Sequence, residues 1–165
     1  MKRIILITGG QRSGKSVLAE RMALELSCNP VYIATAHIWD QEFQQRVDKH
    51  KERRGEQWTN IEEEKHLSKL SIYNKVAVID CLTLWCTNFF FSAANDESHQ
   101  PDINETLKEI EEEFDTFTDQ DATFIFVTNE IGSGGVSENA IQRRFTDLEG
   151  WMNQYVASKA DEVIL

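Results

Sequence analysis

The stretch Gly9-Gly10-Gln11-Arg12-Ser13-Gly14-Lys15-Ser16 constrains this chain more than any other. It fits G-x-x-x-x-G-K-[ST] at every fixed position, the pattern of a loop whose backbone N–H groups close around phosphate oxygens. The apolar, β-branched run Arg3-Ile4-Ile5-Leu6-Ile7-Thr8 precedes it, and Val17 to Leu26 follows with amphipathic helical spacing. Strand, glycine loop and helix are what phosphate binding needs, because the helix N-terminus adds partial positive charge where the loop amides converge. Lys15 is then placed to reach the β- and γ-phosphates, and the Ser16 hydroxyl to ligate Mg²⁺.

The rest of the chain alternates in the same way. Val31-Tyr32-Ile33-Ala34 reads as a second strand. In α/β sheets ligands sit beyond the C-terminal strand ends, so Ala34, Thr35 and Ala36 should face the nucleotide. Asp40 can cap a helix over residues 41–54 whose apolar positions Phe43 and Val47 continue, by three and then four, to His50 and Arg54. Arg46, Lys51, Arg53 and Arg54 surround that histidine in an otherwise acidic chain. On composition alone they fit a solvated basic face with an incidental histidine as well as a functional one. Gly55 should end the helix, residues 57–61 suit a short strand, and Glu62-Glu63-Glu64 suit the acidic start of a short helix running to Leu70.

Val76-Ala77-Val78-Ile79-Asp80 is a buried-strand pattern that ends in a carboxylate, the form expected of the acid that sits beside Mg²⁺ in phosphate-loop proteins. Cys81 to Phe91 reads as a buried helix in which Trp85 and Phe89 to Phe91 are candidates for an apolar substrate wall. Residues 92–104 read as a loop, 105–117 as an acidic amphipathic helix, 123–128 as a buried strand, 138–159 as a long helix and 162–165 as a last strand. Asn129-Glu130-Ile131-Gly132 cannot be the Asn-Lys-x-Asp guanine reader of GTPases, since Glu130 and Gly132 stand where Lys and Asp are required. The pattern predicts one α/β domain over residues 1–165, a P-loop NTPase (RecA-like) fold with a mostly parallel sheet flanked by helices.

The formal net charge of −11 argues against a general nucleic-acid or anionic-membrane binder, both of which need an excess of Lys and Arg. Cys28, Cys81 and Cys86 are odd in number and lack metal-ligand spacing, which fits reduced thiols. No charged and apolar leader opens the sequence and no apolar run is long enough to span a bilayer, so a cytoplasmic location without membrane insertion is expected.

Taken in order, these residues resemble the bifunctional adenosylcobinamide kinase / adenosylcobinamide-phosphate guanylyltransferase family of cobalamin biosynthesis. The resemblance is carried by Thr8 to Ser16, Tyr32-Ile33-Ala34-Thr35, and His50-Lys51-x-x-Arg54 followed by Trp58. It continues through Asp80-Cys81-Leu82-Thr83-Leu84-Trp85 with Thr87-Asn88, Thr128 to Gly132, and Arg144-Phe145-x-Asp147-x-x-Gly150-x-x-Asn153-Gln154. Gly55 and Ser137 stand where that family usually has proline.

What the resemblance implies is specific. A γ-phosphoryl group would pass from a nucleoside triphosphate (GTP, with ATP an option) to the aminopropanol hydroxyl of adenosylcobinamide. GMP would then pass from GTP to the new phosphate through a GMP–histidine intermediate. The nucleophile falls on His50, and the GTP contacts fall on Gly9, Gly10, Gln11, Arg12, Ser13, Gly14, Lys15, Ser16, Ala34, Thr35, Ala36, Lys51, Glu52, Arg53, Arg54, Glu62 and Asp80. Mg²⁺ would take Ser16 and Asp80, the partner would be a corrinoid, and the relatives form trimers. Two other readings of the residues stay open at this point: a small-molecule kinase in which His50 is structural, and a nucleotide-dependent switch module.

Overall fold

A computed structural model describes residues 2–10, 12–38, 40–93, 102–131 and 139–165. The order of elements is β1 (Arg3–Gly9), α1 (Lys15–Leu26), β2 (Val31–Ala34), α2 (Gln41–Arg54), β3 (Thr59–Glu62), a 3₁₀ turn (Leu67–Lys69), β4 (Val76–Asp80), α3 (Leu82–Ala93), α4 (Ile103–Thr118), β5 (Thr123–Asn129), α5 (Ala140–Lys159) and β6 (Glu162–Ile164). The six strands form one sheet in the order β3-β2-β4-β5-β1-β6, and every neighbouring pair is parallel. The sheet is thus wholly parallel where the sequence predicted a mostly parallel one.

Strands buried on both faces read as continuous apolar runs because each side chain, up or down, meets a helix layer. Ile5, Ile7, Val78, Ile125 and Val127 pack with Ala19 and Ala23 of α1 on one face. On the other, Ile4, Leu6, Ala77, Ile79, Phe124 and Phe126 meet the aromatic and aliphatic side chains of α3, α4 and α5. Phe114, Phe117, Phe124 and Phe126 are fully buried there with ring centroids 5.1–6.4 Å apart, at about 1.5–3 kcal/mol of transfer free energy each. Trp85, Phe89 and Phe90 belong to this core too, so the apolar wall proposed for them is not available; among the described large apolar side chains of α3, Phe91 (47% exposed) and Leu84 (39% exposed) are the exposed ones.

Register carries the polar strand ends to one edge. Gly9 of β1 lies opposite Asn129 of β5, and Ala34 of β2 opposite Asp80 of β4. The loop from Gly9 to Lys15 turns there through Gly14 at φ +88°, a value that favours glycine because it has no Cβ. Asp40 caps α2 by accepting from the Phe43 amide at 2.7 Å, and Asn139 caps α5. The helix predicted from Glu62 does not form. Glu62 ends β3 instead, paired with Ala34, and the Glu63 carboxylate accepts from the amides of Lys65 and His66 ahead of the 3₁₀ turn. At the end of α2, Gly55 takes φ +82°, which proline, fixed near about −65°, cannot adopt.

Candidate active site

Beyond the C-terminal ends of β2, β4 and β5 lies a cavity of about 600 Å³. Arg12, Ser13, Gly14, Lys15 and Ser16 line it, together with Asp80 at the end of β4 and Arg46, His50, Arg53 and Arg54 of α2. The phosphate loop and the histidine, some thirty-four positions apart from Ser16 to His50, therefore share one space.

Asp80 is its polar centre. Its Oδ2 accepts from the Ser16 hydroxyl at 3.0 Å and from the Tyr32 hydroxyl. Burial, and then the charge of Asp80, raises the Tyr32 phenol above its ordinary range, so it remains a donor. The Ser16 and Asp80 oxygens are a hard donor pair of the kind Mg²⁺ takes while keeping waters and substrate phosphate oxygens as its other ligands. Among the described residues no group of three or more His, Cys, Asp and Glu gathers for a metal, and a Mg²⁺ bound in this manner needs none. The Lys15 ammonium folds back onto the Gly10 carbonyl and lies 3.4 Å from the Ser13 hydroxyl, within the loop it would serve.

The basic helix is fastened rather than merely solvated. The Arg54 guanidinium, 3.5 Å from the Tyr32 ring centroid, also donates from Nε and Nη2 to Asn60 Oδ1 at 3.1 and 2.8 Å. Arg53 donates to both carboxylate oxygens of Glu20 in α1 at 3.2 Å. These contacts, with the half-buried Phe43 and Val47, orient α2 so that His50 points into the cavity from an exposed position.

Other predicted residues stand at the margin. Ala34 and Ala36 line the cavity, but Thr35 between them is buried, donating from its hydroxyl to the Cys81 carbonyl at 2.7 Å and accepting from the Cys81 amide at 2.9 Å. Gly9 and Gly10 do not line the cavity, and Glu52 is exposed outside it. Lys51 and Glu62 bind each other at 2.7 Å, and Glu62 borders a second cavity of about 400 Å³ that shares Ala36 with the first. Gln11 lies outside the described residues.

Sequence reasoning missed Tyr32 and Glu20 as cavity residues. For Tyr32 the signal was present: side chains two apart in a strand share a face, so Tyr32 points where Ala34 points. Glu20 lies one helical turn beyond Ser16 and follows it along α1 in the same way. Cys81 lines the cavity too, but burial, then the Asp80 charge, pushes its thiol up to about 12, so it is protonated and a poor nucleophile at neutral pH.

Residues 5–165 match the family model described as cobinamide kinase / cobinamide phosphate guanyltransferase. The chain is 35% identical to the bifunctional adenosylcobalamin biosynthesis protein CobU of Escherichia coli strain K12, covering 98% of this chain and 94% of that protein. It is 36% identical to the bifunctional adenosylcobalamin biosynthesis protein CobP of Pseudomonas aeruginosa PAO1, over 96% of this chain and 89% of that one. Against CobU of Salmonella typhimurium strain LT2 it is 34% identical, over 98% and 94%. Among solved structures, an ATPase from the type III secretion system of pathogenic bacteria superposes with a TM-score of 0.59 at 13% identity, covering 99% of this chain and 51% of that one, a likeness of fold alone. With a family match over residues 5–165 and three relatives above one-third identity, this chain belongs to the cobinamide kinase / cobinamide phosphate guanyltransferase family.

Proposed function

We propose that this protein phosphorylates adenosylcobinamide with a nucleoside triphosphate and then transfers GMP from GTP to the phosphate it has made. The observation that carries both reactions on one site is the cavity lined by Lys15, Ser16 and Asp80 and also by His50.

In the first reaction the loop amides and Lys15 hold the β- and γ-phosphates in line with the incoming hydroxyl. Ser16 and Asp80 would hold Mg²⁺, which when bound neutralises charge between the β- and γ-phosphates. Tyr32 keeps the Asp80 carboxylate turned toward Ser16. In the second reaction an imidazole nitrogen of His50 attacks the α-phosphorus of GTP. The N–P bond forms as the bond from the α-phosphorus to the bridging oxygen breaks, and pyrophosphate leaves. An oxygen of the corrinoid phosphate then attacks the same phosphorus and frees His50. Arg46 and Arg53, both on the cavity wall, are placed to balance charge that develops on the transferring and leaving phosphates. Because the loop grips the γ-phosphate for one reaction and the α-phosphate must meet His50 for the other, the nucleotide or α2 shifts between them. The compact pairing of Lys51 with Glu62 beside Ala36 suits a contact to the guanosine end, away from the phosphates.

Incubation with GTP and adenosylcobinamide, followed by chromatography of the corrinoids, tests the assignment. Wild type should accumulate the phosphate and then the GDP derivative. Lys15→Ala should lose both products, and His50→Ala should stop at the phosphate. Corrinoid unchanged by wild type with any nucleoside triphosphate would sink the proposal. The resemblance also implies a trimer, which sedimentation would support at a trimer's mass and refute at a monomer's.

A further inference from the structure

We infer that Asn129 is a further residue of the phosphoryl-transfer step, contacting the γ-phosphate side of the bound nucleotide, and that the buried Glu149 is the positioning residue that holds it there. The inference rests on the two-reaction reading above and assigns its two halves to different elements, the end of β5 and helix α2.

The placement of Asn129 follows from the sheet. β5 lies between β1 and β4, so its last residue sits between the phosphate loop and Asp80. Asn129 is in register with Gly9, where the loop begins, and lines the cavity beside Val127 and Leu84. A phosphate loop presents its lysine to the β- and γ-phosphates, and its serine shares Mg²⁺ with the strand-end acid. The γ end of a nucleotide therefore lies at Ser16 and Asp80, and β5 is the strand end next to it. His50 comes instead from α2, which joins β2 to β3 at the other edge of the sheet. Among the described residues no group is hydrogen-bonded to the Asn129 carboxamide, whereas its backbone is held firmly.

That hold runs through a cluster that no step above uses. The Asn129 amide donates to the Thr83 hydroxyl at 2.9 Å. Thr83 in turn donates to Glu149 Oε1 at 3.3 Å, Thr128 lies 3.2 Å from the same oxygen, and Asn153 Nδ2 donates to it at 2.7 Å. Thr128 also lies 2.7 Å from Asn153 Oδ1. Glu149 is 1% exposed and Thr128 fully buried. A carboxyl in the core is costly unless its hydrogen bonds are made. Here one oxygen takes all of them, and they tie together the residues that follow β4, the end of β5 and helix α5. The cluster lies directly behind the cavity wall that carries Asn129.

In the transfer itself the acceptor oxygen forms its bond to the γ-phosphorus as the bond from that phosphorus to the β,γ-bridging oxygen breaks. The nucleoside diphosphate leaves and the hydroxyl proton passes to solvent. The Asn129 Nδ2 donates to a γ-phosphoryl oxygen while negative charge shifts across it. No such contact serves attack at the α-phosphorus by His50 from α2.

The two half-reactions are measured separately: phosphorylation of adenosylcobinamide from γ-labelled GTP, and label retained on the protein from α-labelled GTP. Asn129→Ala should lower kcat for phosphorylation by about 100-fold with KM for GTP changed by less than about threefold. Its rate of protein labelling should stay within about twofold of wild type. Glu149→Gln, which keeps the accepting oxygen, should retain phosphorylation within about threefold, and Glu149→Leu should reproduce the selective kcat loss. Equal losses in both half-reactions, or Asn129→Ala phosphorylating at the wild-type rate, overturns the inference. Because Asn129→Ala removes only a side chain at the cavity surface, this arm decides even where Glu149→Leu does not fold. Failure of wild type in both assays would instead remove the function on which the inference rests.

Discussion

Replacing Arg54 with methionine keeps an aliphatic stem and removes the guanidinium that fastens α2 to the sheet. The side chain is 3% exposed, so what it loses is not returned by water at the same place. Two charge-assisted hydrogen bonds to Asn60 are lost, together about 1.5–3 kcal/mol. The guanidinium also leaves the face of Tyr32, a contact of about 1–2 kcal/mol when desolvated. Methionine burial offsets about 1 kcal/mol of this. Asn60 is exposed and can bind water, and Glu20 keeps Arg53 at 3.2 Å, so no buried charge is left unpaired. The net cost is about 1.5–4 kcal/mol, a fall in Tm of roughly 3–16 °C for a chain of this size. Thermal unfolding followed by circular dichroism, with a reversibility check, measures it. Arg54→Lys should recover less than half, because an ammonium has neither the planar face nor the fork. A fall under about 2 °C for methionine, or full recovery by lysine, refutes the claim that this stacked fork holds the helix.

Gly14→Ala forces a Cβ into a φ of +88°, at a cost of about 1–2 kcal/mol in stability. It should also weaken triphosphate binding measured by calorimetry, and unchanged affinity would show that the loop does not bind in the conformation seen here. Glu149 gives a pH test. Burial holds its carboxyl above the usual range against the hydrogen bonds from Asn153, Thr128 and Thr83. With the folded pKa above the unfolded one, the unfolded chain gives up this proton first, so stability falls as pH rises from the unfolded carboxylate range through the folded pKa. Glu149→Gln does not titrate, so its Tm relative to wild type should rise as pH climbs from the ordinary carboxylate range through the raised folded pKa. A difference that stays flat across that range contradicts the assignment of the shift to this group.

Most of the frame was legible in the sequence because fully buried parallel strands are locally distinctive: β1, β4 and β5 each announce themselves by an unbroken apolar run that stops at a polar residue. The segment after β3 was not. Three consecutive glutamates look like a helix start, yet Glu62 is paired with Ala34 across β2, a partner nearly thirty positions away that no local window contains. His50 shows both the reach and the limit of periodicity. Its spacing from Phe43 and Val47 put it on the cavity side of α2, while the attachments that aim it, Arg53 to Glu20 and Arg54 to Tyr32 and Asn60, join elements from three other parts of the chain. Glu149 was unreadable for a related reason. A glutamate on a long helix is normally solvated, and only the approach of Thr83, Thr128 and Asn153 reveals that this one is core.

The central claim is that one cavity serves two transfers because His50 and the phosphate loop both line it. The most direct measurement is incubation with GTP labelled at the α-phosphate in the absence of corrinoid, followed by denaturation and a count of label on the polypeptide. Wild type should carry acid-labile, base-stable label, released as the corrinoid phosphate is added, and His50→Ala should carry none while still phosphorylating adenosylcobinamide. Label that persists in His50→Ala, or wild type that never becomes labelled, contradicts the account.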